Sequence, residues 1–378
     1  MATSIVLHVG PRKTGTTYLQ KSLTAASPTL REGGVLYVTR LMGKEVYNHV
    51  SATFAVPGLR TERSSHIWSN VNVDIIHDLV RQVGAWDGPA IISSEALGGL
   101  TTAEATKFIS YLPSAPVHVI ATIRALPDVV LSSWSQNVLN LNTHSLDTYV
   151  KLFMQRRTLL PPSERWRLWD EDRHATFWRS FEYPGLLSRW TQMGFPVSAV
   201  VVPDSAEPRG ELWTRFREAV NLDALPPAAP NVQDADANGS RSLEELEIRR
   251  KAIKYATKKG LTIDDLRQLR GKRWKITRNN SLHAGTRPGL APDAVEAFER
   301  WAREDADLLA KLPINLIGPI EDLLRPARRP ETPQPAASAE AAGRLVASRI
   351  FPAVRGSRAG RLKRRLNRRA VRLCRWVT

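Results

Sequence analysis

The chain has 378 residues, 42% of them hydrophobic, one cysteine (Cys374) and a formal charge of +17. That length supports a substantial core, so one large domain with extensions is expected, and the lone cysteine excludes internal disulfides and thiolate metal centres. No apolar run reaches transmembrane length and the N-terminus reads as a strand, so a cytoplasmic protein is expected, at most peripheral on the inner membrane face.

Most of the positive excess belongs to the last segment. Residues 341–378 carry eleven Arg and one Lys without an acid, which leaves +5 for residues 1–340.

In chain order, the first apolar, β-branched run is a strand at 5–9, ended by Gly10-Pro11 and followed by Arg12-Lys13-Thr14-Gly15-Thr16-Thr17 and a helix at 16–25. A strand, a glycine loop and a helix start in this order present main-chain N–H groups to an anion. The pattern G-x-x-x-x-G-K-[ST] of nucleotide triphosphatases puts a lysine after the second glycine, for the β- and γ-phosphates. Here Gly10 and Gly15 keep the spacing, but Thr16 stands in the lysine position and the cations are Arg12 and Lys13. Such a loop wraps a phosphate with the N–H groups of Thr14 to Thr17, yet is poorly suited to ATP hydrolysis.

Further strands are expected at 35–38 (weak), 90–94, 117–123 and 197–202. Helices are expected at 67–83, 127–139, 183–193, 212–220, 243–257 and 292–312. The alternation predicts an α/β fold, a doubly wound parallel sheet of about five strands flanked by helices, with a helical C-terminal extension. Ligands of such sheets bind beyond the carboxyl ends of the strands. Three candidate groups lie there: the loop after the first strand, Glu95 after Ser93-Ser94, and Arg124.

The composition of 223–240 predicts a long surface loop, and 326–340 a Pro/Ala-rich linker. The expected organisation is therefore an α/β domain over 1–325 (phosphate-binding core 1–204, helical part 205–325), the linker 326–340 and a basic amphipathic tail 341–378.

Arg124 offers a planar fork of donors at a strand end, and Ser132 follows eight residues later in a helix whose first turn holds Pro127 and Asp128. The pair suits an oxyanion, while a local Arg124–Asp128 ion pair is the plainer alternative. Glu95 is a candidate base; a strand ending in an acid also fits an NTPase carboxylate that positions Mg²⁺. His8 and His118 read as core histidines. The remaining histidines lack paired metal-ligand spacing, so no metal is expected. Trp134 and the aromatic-rich stretch 166–181 line a pocket or simply pack.

The run Pro11-x-Lys13-Thr14-Gly15-Thr16-Thr17 after the first strand resembles the 5′-phosphosulfate loop of sulfotransferases that use 3′-phosphoadenosine 5′-phosphosulfate (PAPS), here of a bacterial type with a P-loop-like domain. Arg124 and Ser132 resemble that family's 3′-phosphate motif. The resemblance covers about 5–204. It implies PAPS as co-substrate without a metal, held by Arg12, Lys13, Thr14, Gly15, Thr16, Thr17, Arg124 and Ser132, with Lys13 and Glu95 catalytic. The acceptor would be a hydroxyl on a carbohydrate, glycolipid or other small metabolite, and His49, in Tyr47-Asn48-His49-Val50, lies where such enzymes carry acceptor-pocket residues, which implies a reserve base or substrate contact. The family's later Arg-Lys-Gly loop has no good match; the basic segment 270–278, with Lys272, Arg273 and Lys275, marks a position only. Alternatives are a P-loop kinase or NTPase, and a nucleic-acid- or membrane-binding protein acting through its tail.

In the tail, Leu362, Leu366, Ala370, Leu373 and Val377 form one helical stripe among arginines, with Trp376 beside it. That pattern suits an anionic membrane surface. Nucleic acid would be held by charge, without sequence specificity.

Overall fold

The computed structural model describes residues 1–59, 72–158, 176–204, 207, 208, 210–230, 241–262, 265, 266 and 286–330. The expectations for residues 166–175, the basic segment 270–278, most of the linker and the whole tail lie outside the described residues.

The chain begins with β1 (Ser4–His8) and α1 (Thr16–Glu32), then β2 (Leu36–Tyr37) and a hairpin of β3 (Arg40–Leu41) and β4 (Lys44–Glu45). Next come α2 (Val50–Ala55), α3 (Asp74–Gly84), β5 (Pro89–Ser93), α4 (Thr102–Ile109), β6 (Val117–Ile123), α5 (Leu126–Leu139) and α6 (Leu146–Thr158). The remainder is α7 (Thr176–Phe181), α8 (Tyr183–Gln192), β7 (Val197–Val201), α9 (Glu211–Val220), α10 (Leu243–Lys258), α11 (Pro292–Leu309) and β8 (Asn315–Ile317).

Six strands form one parallel sheet in the order β2-β5-β1-β6-β7-β8, flanked by helices. From β1 the chain runs outward to β2, returns to β5 and then crosses to β6 on the far side of β1. The connections diverge on either side of β1, which opens a crevice at the carboxyl ends of β5, β1 and β6. Both faces of the central strands are covered, and this explains their continuous apolar runs: Ile5, Leu7, Ala90, Ile92, Val119 and Ala121 are as buried as Val6, Ile91 and Ile120. One face packs on Leu19, Leu23, Ala26 and Leu30 of α1 and on Trp213 and Phe216 of α9.

The sheet thus has six strands where about five were expected. β8 is three residues long with its first residue, Asn315, exposed, too short for a period-2 signal. Helix α1 continues through Pro28 to Glu32, past its expected end at residue 25, because the buried stripe Leu19, Leu23, Ala26, Leu30 extends beyond the proline. Helices α2, α4, α6 and α7 were not anticipated from the sequence.

The chain divides into two compact units. The first, Met1–Val129, Gln155–Asn238 and Glu296–Pro326, contains the entire sheet. Within it, Arg157 is fully buried between the rings of Trp178 and Trp301, 5.2 and 5.0 Å from their centroids, and pairs with Asp305. The second unit comprises the described parts of Val130–Met154, Gly239–Val295 and Ala327–Thr378. Its apolar cluster joins Leu141 to Ala252, Ile253 and Ala256 of α10 and to Leu266. Ser242 caps α10 by accepting from the Glu245 N–H at 3.2 Å. Among the described residues no helix is long and apolar enough to cross a membrane.

Candidate functional site

The loop between β1 and α1 is shaped by two left-handed residues. Lys13 has φ 72° and Gly15 φ 80°, and the turn they make lets the chain enter α1 directly. For lysine this backbone costs on the order of 1 kcal/mol, which the surrounding contacts must supply. The Thr14 side chain supplies two of them. Its hydroxyl donates to the Pro11 carbonyl at 2.6 Å and lies 2.7 Å from Thr122 Oγ1 on β6. Thr14 is fully buried, and these two contacts engage its hydroxyl. Gly10 is required by space: a Cβ there would sit 2.1 Å from Thr122 Oγ1 and 2.7 Å from His8 Nε2.

Helix α1 starts at Gly15 with no side-chain cap and no acid in its first turn. Helix α4, by contrast, carries a full capping box of Thr101 and Glu104. The first N–H groups of α1 and its positive dipole end therefore have no compensating side-chain carboxylate.

Arg124, one residue past β6, faces this loop. Its Nη1 donates to the Lys13 carbonyl at 3.4 Å, and its Nη2 donates to Asp128 at 3.1 Å. The Arg124–Asp128 pair weighed as the plain alternative is thus present, but it occupies one end of the guanidinium only. Arg124 Nε is buried and makes no hydrogen bond. Tyr183, the first residue of α8, fixes the main chain here: its hydroxyl donates to the Arg124 carbonyl at 2.7 Å and accepts from the Arg124 N–H at 3.2 Å. Burial pushes the Tyr183 phenol far above the usual tyrosine range against the lowering effect of Arg124, so it remains a neutral donor. Burial, and then the charge of Arg124, lowers the Lys13 ammonium from its ordinary value.

Glu95 follows β5 on the same rim. Gln20 of α1 donates from Nε2 to Glu95 Oε2 at 3.0 Å and to Ser93 Oγ at 3.2 Å. Ser93 and His8 are register partners on adjacent strands, so their side chains point to one face and meet, with His8 Nδ1 2.8 Å from Ser93 Oγ. His8 Nε2 is 3.5 Å from Thr122 Oγ1. Burial lowers the His8 pKa to about 3, so the ring is neutral, in keeping with a core histidine.

His49 is fully buried and both its ring nitrogens are occupied. The Ser93 N–H donates to Nδ1 at 2.9 Å, and Nε2 lies 2.9 Å from the Val38 carbonyl. Burial lowers its pKa to about 4. It ties β5 to the segment after β2 and leaves no nitrogen for a substrate hydroxyl, which removes the geometric basis of a base or contact role. Arg12 is exposed at the loop, Thr16 is buried and Thr17 half-buried in the first turn of α1. Ser132 is half-buried in α5 and belongs to the second unit, whereas the loop, Glu95 and Arg124 belong to the first. Trp134, on the same helix, is buried and donates from Nε1 to the His144 carbonyl at 3.1 Å, a packing role.

Gln20 and Tyr183 were missed from sequence as site residues. The available signal for Gln20 was a polar side chain between Leu19 and Leu23 on the buried stripe of α1; Tyr183 carried none. No group of three His, Cys, Asp or Glu side chains that could hold a metal ion is found among the described residues. Chemically, the rim offers two cations and a helix N-terminus for an anion, with a carboxylate as a proton acceptor. Compared with protein-family models, with curated proteins and with solved structures, the chain matches none of them.

Proposed function

We propose that the protein transfers a sulfuryl group from PAPS to an acceptor hydroxyl, of a carbohydrate, glycolipid or other small metabolite. The observation that carries this reading is the joining of Arg124 to the Lys13 carbonyl, which gathers two cations beside the uncapped start of α1 with Asp128 as the paired carboxylate. Two like charges held close and half-buried are unfavourable by themselves, and an anion of two phosphate groups relieves both. The loop after β1 cradles the 5′-phosphosulfate through the N–H groups of Thr14 to Thr17, and Arg124 takes the 3′-phosphate. In this scheme Arg12 contributes long-range attraction.

The reaction is an in-line displacement. The acceptor hydroxyl gives its proton to Glu95, its oxygen bonds to sulfur, and the bond from sulfur to the bridging oxygen breaks as 3′-phosphoadenosine 5′-phosphate (PAP) leaves. Negative charge grows on the bridging oxygen, so Lys13 and the loop N–H groups stabilise the transition state more than the ground state. No metal enters this scheme.

A P-loop kinase or NTPase remains the second reading, because a carboxylate at the end of β5 also suits Mg²⁺. The test uses water as the acceptor. Release of PAP from PAPS in EDTA is the expected result, and Mg²⁺-dependent ATP hydrolysis without PAP release contradicts the proposal.

A further inference from the structure

We infer that Gln20 is a positioning residue for Glu95, fixing which carboxylate oxygen receives the acceptor's proton; this rests on the sulfuryl-transfer reading. Gln20 is 1% exposed, on a buried side of α1 that it shares with Leu19, Leu23 and Ala26 and with Thr16 and Ser22. A buried amide is retained on such a face only when its hydrogen bonds are made. Its Nε2 serves two acceptors, Glu95 Oε2 and Ser93 Oγ, and its Oε1 faces Asn48 Nδ2 at 3.5 Å. The reverse orientation would set the amide oxygen against Glu95 Oε2, so the hydrogen bonds determine the amide's direction.

The amide is itself held from beneath. Ser93 Oγ accepts from Gln20, and its hydroxyl hydrogen is then free to go to His8 Nδ1. With the His8 ring neutral, the proton on Nε2 faces Thr122 Oγ1, whose neighbour is Thr14 Oγ1, itself donating to the Pro11 carbonyl. Gln20, Ser93, His8, Thr122 and Thr14 thus form one buried row of aligned donors, running from Glu95 to the loop that binds the donor's phosphate. The contact between His8 and Thr122, at 3.5 Å, is its weakest link.

The consequence is chemical. Glu95 Oε2 is occupied by a neutral donor, and Oε1 makes no hydrogen bond among the described residues, so it is the oxygen available to the acceptor. A lysine in place of Gln20 would pair with the carboxylate and weaken it as a base; a glutamine orients it without neutralising it. Among the described titratable groups, Tyr37 on β2 feels the charge of Glu95, and His8 on β1 and His49 bond the neighbouring Ser93. Burial holds Tyr37 neutral and keeps both histidines uncharged above about pH 4, so none of these three adds charge near neutral pH.

The experiment is a double-mutant cycle on the full chain, reading PAP release from PAPS with water as acceptor. Gln20→Leu is expected to lower kcat about tenfold, the worth of one hydrogen bond to a charged group, with the donor KM and the melting shift produced by PAP unchanged. In the Glu95→Gln background the same change is expected to cost nothing further, because Gln20 acts only through that carboxylate. An equal loss in both backgrounds, no loss in either, or a loss of PAP binding in Gln20→Leu would overturn the inference. Failure of the wild type to release PAP marks instead the failure of the sulfuryl-transfer reading.

Discussion

The Arg124 guanidinium donates to the main-chain oxygen of Lys13 at 3.4 Å, so a single side chain ties the end of β6 to the loop after β1. The two cations do not behave alike. Arg124 shares its charge with Asp128, whereas burial and Arg124 itself disfavour the charged form of Lys13.

Lys13 sits in a left-handed conformation that glycine adopts without penalty. Lys13→Gly is therefore expected to raise unfolding free energy by about 1 kcal/mol while lowering PAP release at least a hundredfold. Denaturant melts and steady-state rates on the same preparation check it. A stability gain with activity retained would remove Lys13 from the reaction.

Arg124→Lys keeps the charge but loses the fork. Because Asp128 holds one end of the guanidinium, a lysine cannot serve the carboxylate, the Lys13 carbonyl and a ligand together. PAP is expected to bind the variant about tenfold or more weakly than the wild type, by calorimetry, with binding of adenosine 5′-phosphosulfate reduced far less.

Gly10→Ala drives a methyl group to within 2.1 Å of Thr122 Oγ1, and the loop has to shift. A loss of roughly 1–3 kcal/mol is expected, together with weakened donor binding. Gly210→Ala, where a Cβ meets nothing within 4 Å, is expected to change stability by under about 0.5 kcal/mol. Thermal melts of the two variants make the comparison.

Stability is expected to fall with acidification between about pH 6.5 and pH 4. His8 and His49, with folded-state pKa values lowered to about 3 and about 4, stay neutral in the native protein while the unfolded chain takes up protons from about pH 6.5 downward. Unfolding thus binds protons, and the stability present above pH 6.5 is lost as pH falls, by up to about 1.4 kcal/mol per pH unit for each histidine. Denaturant melts at pH 7, 6, 5 and 4 measure the slope, and His8→Gln should flatten it; an unaltered slope would mean that His8 is charged in the fold.

Much of this site was legible because the crossing rule puts it at strand ends. The buried runs 5–9, 90–94 and 117–123 each lead to a polar residue, and Lys13, Glu95 and Arg124 lie on one rim for that reason. What comes from helices was not legible. Gln20 reaches Glu95 from the inner face of α1, and Tyr183 clasps Arg124 from the start of α8, contacts that need the packing to be known. His49 went the opposite way: the family resemblance put it at an acceptor pocket, but the fold uses both ring nitrogens for main-chain bonds. β8 escaped notice because three residues carry too little pattern.

A site for a 5′- and a 3′-phosphate on one adenosine should show in the melting temperature of the wild-type chain in PAP and in ADP. At 100 times its dissociation constant PAP should add about 2.7 kcal/mol, a rise of several degrees, lost in Arg124→Ala. ADP at the same concentration should give a much smaller rise. Equal or greater stabilisation by ADP would contradict the account.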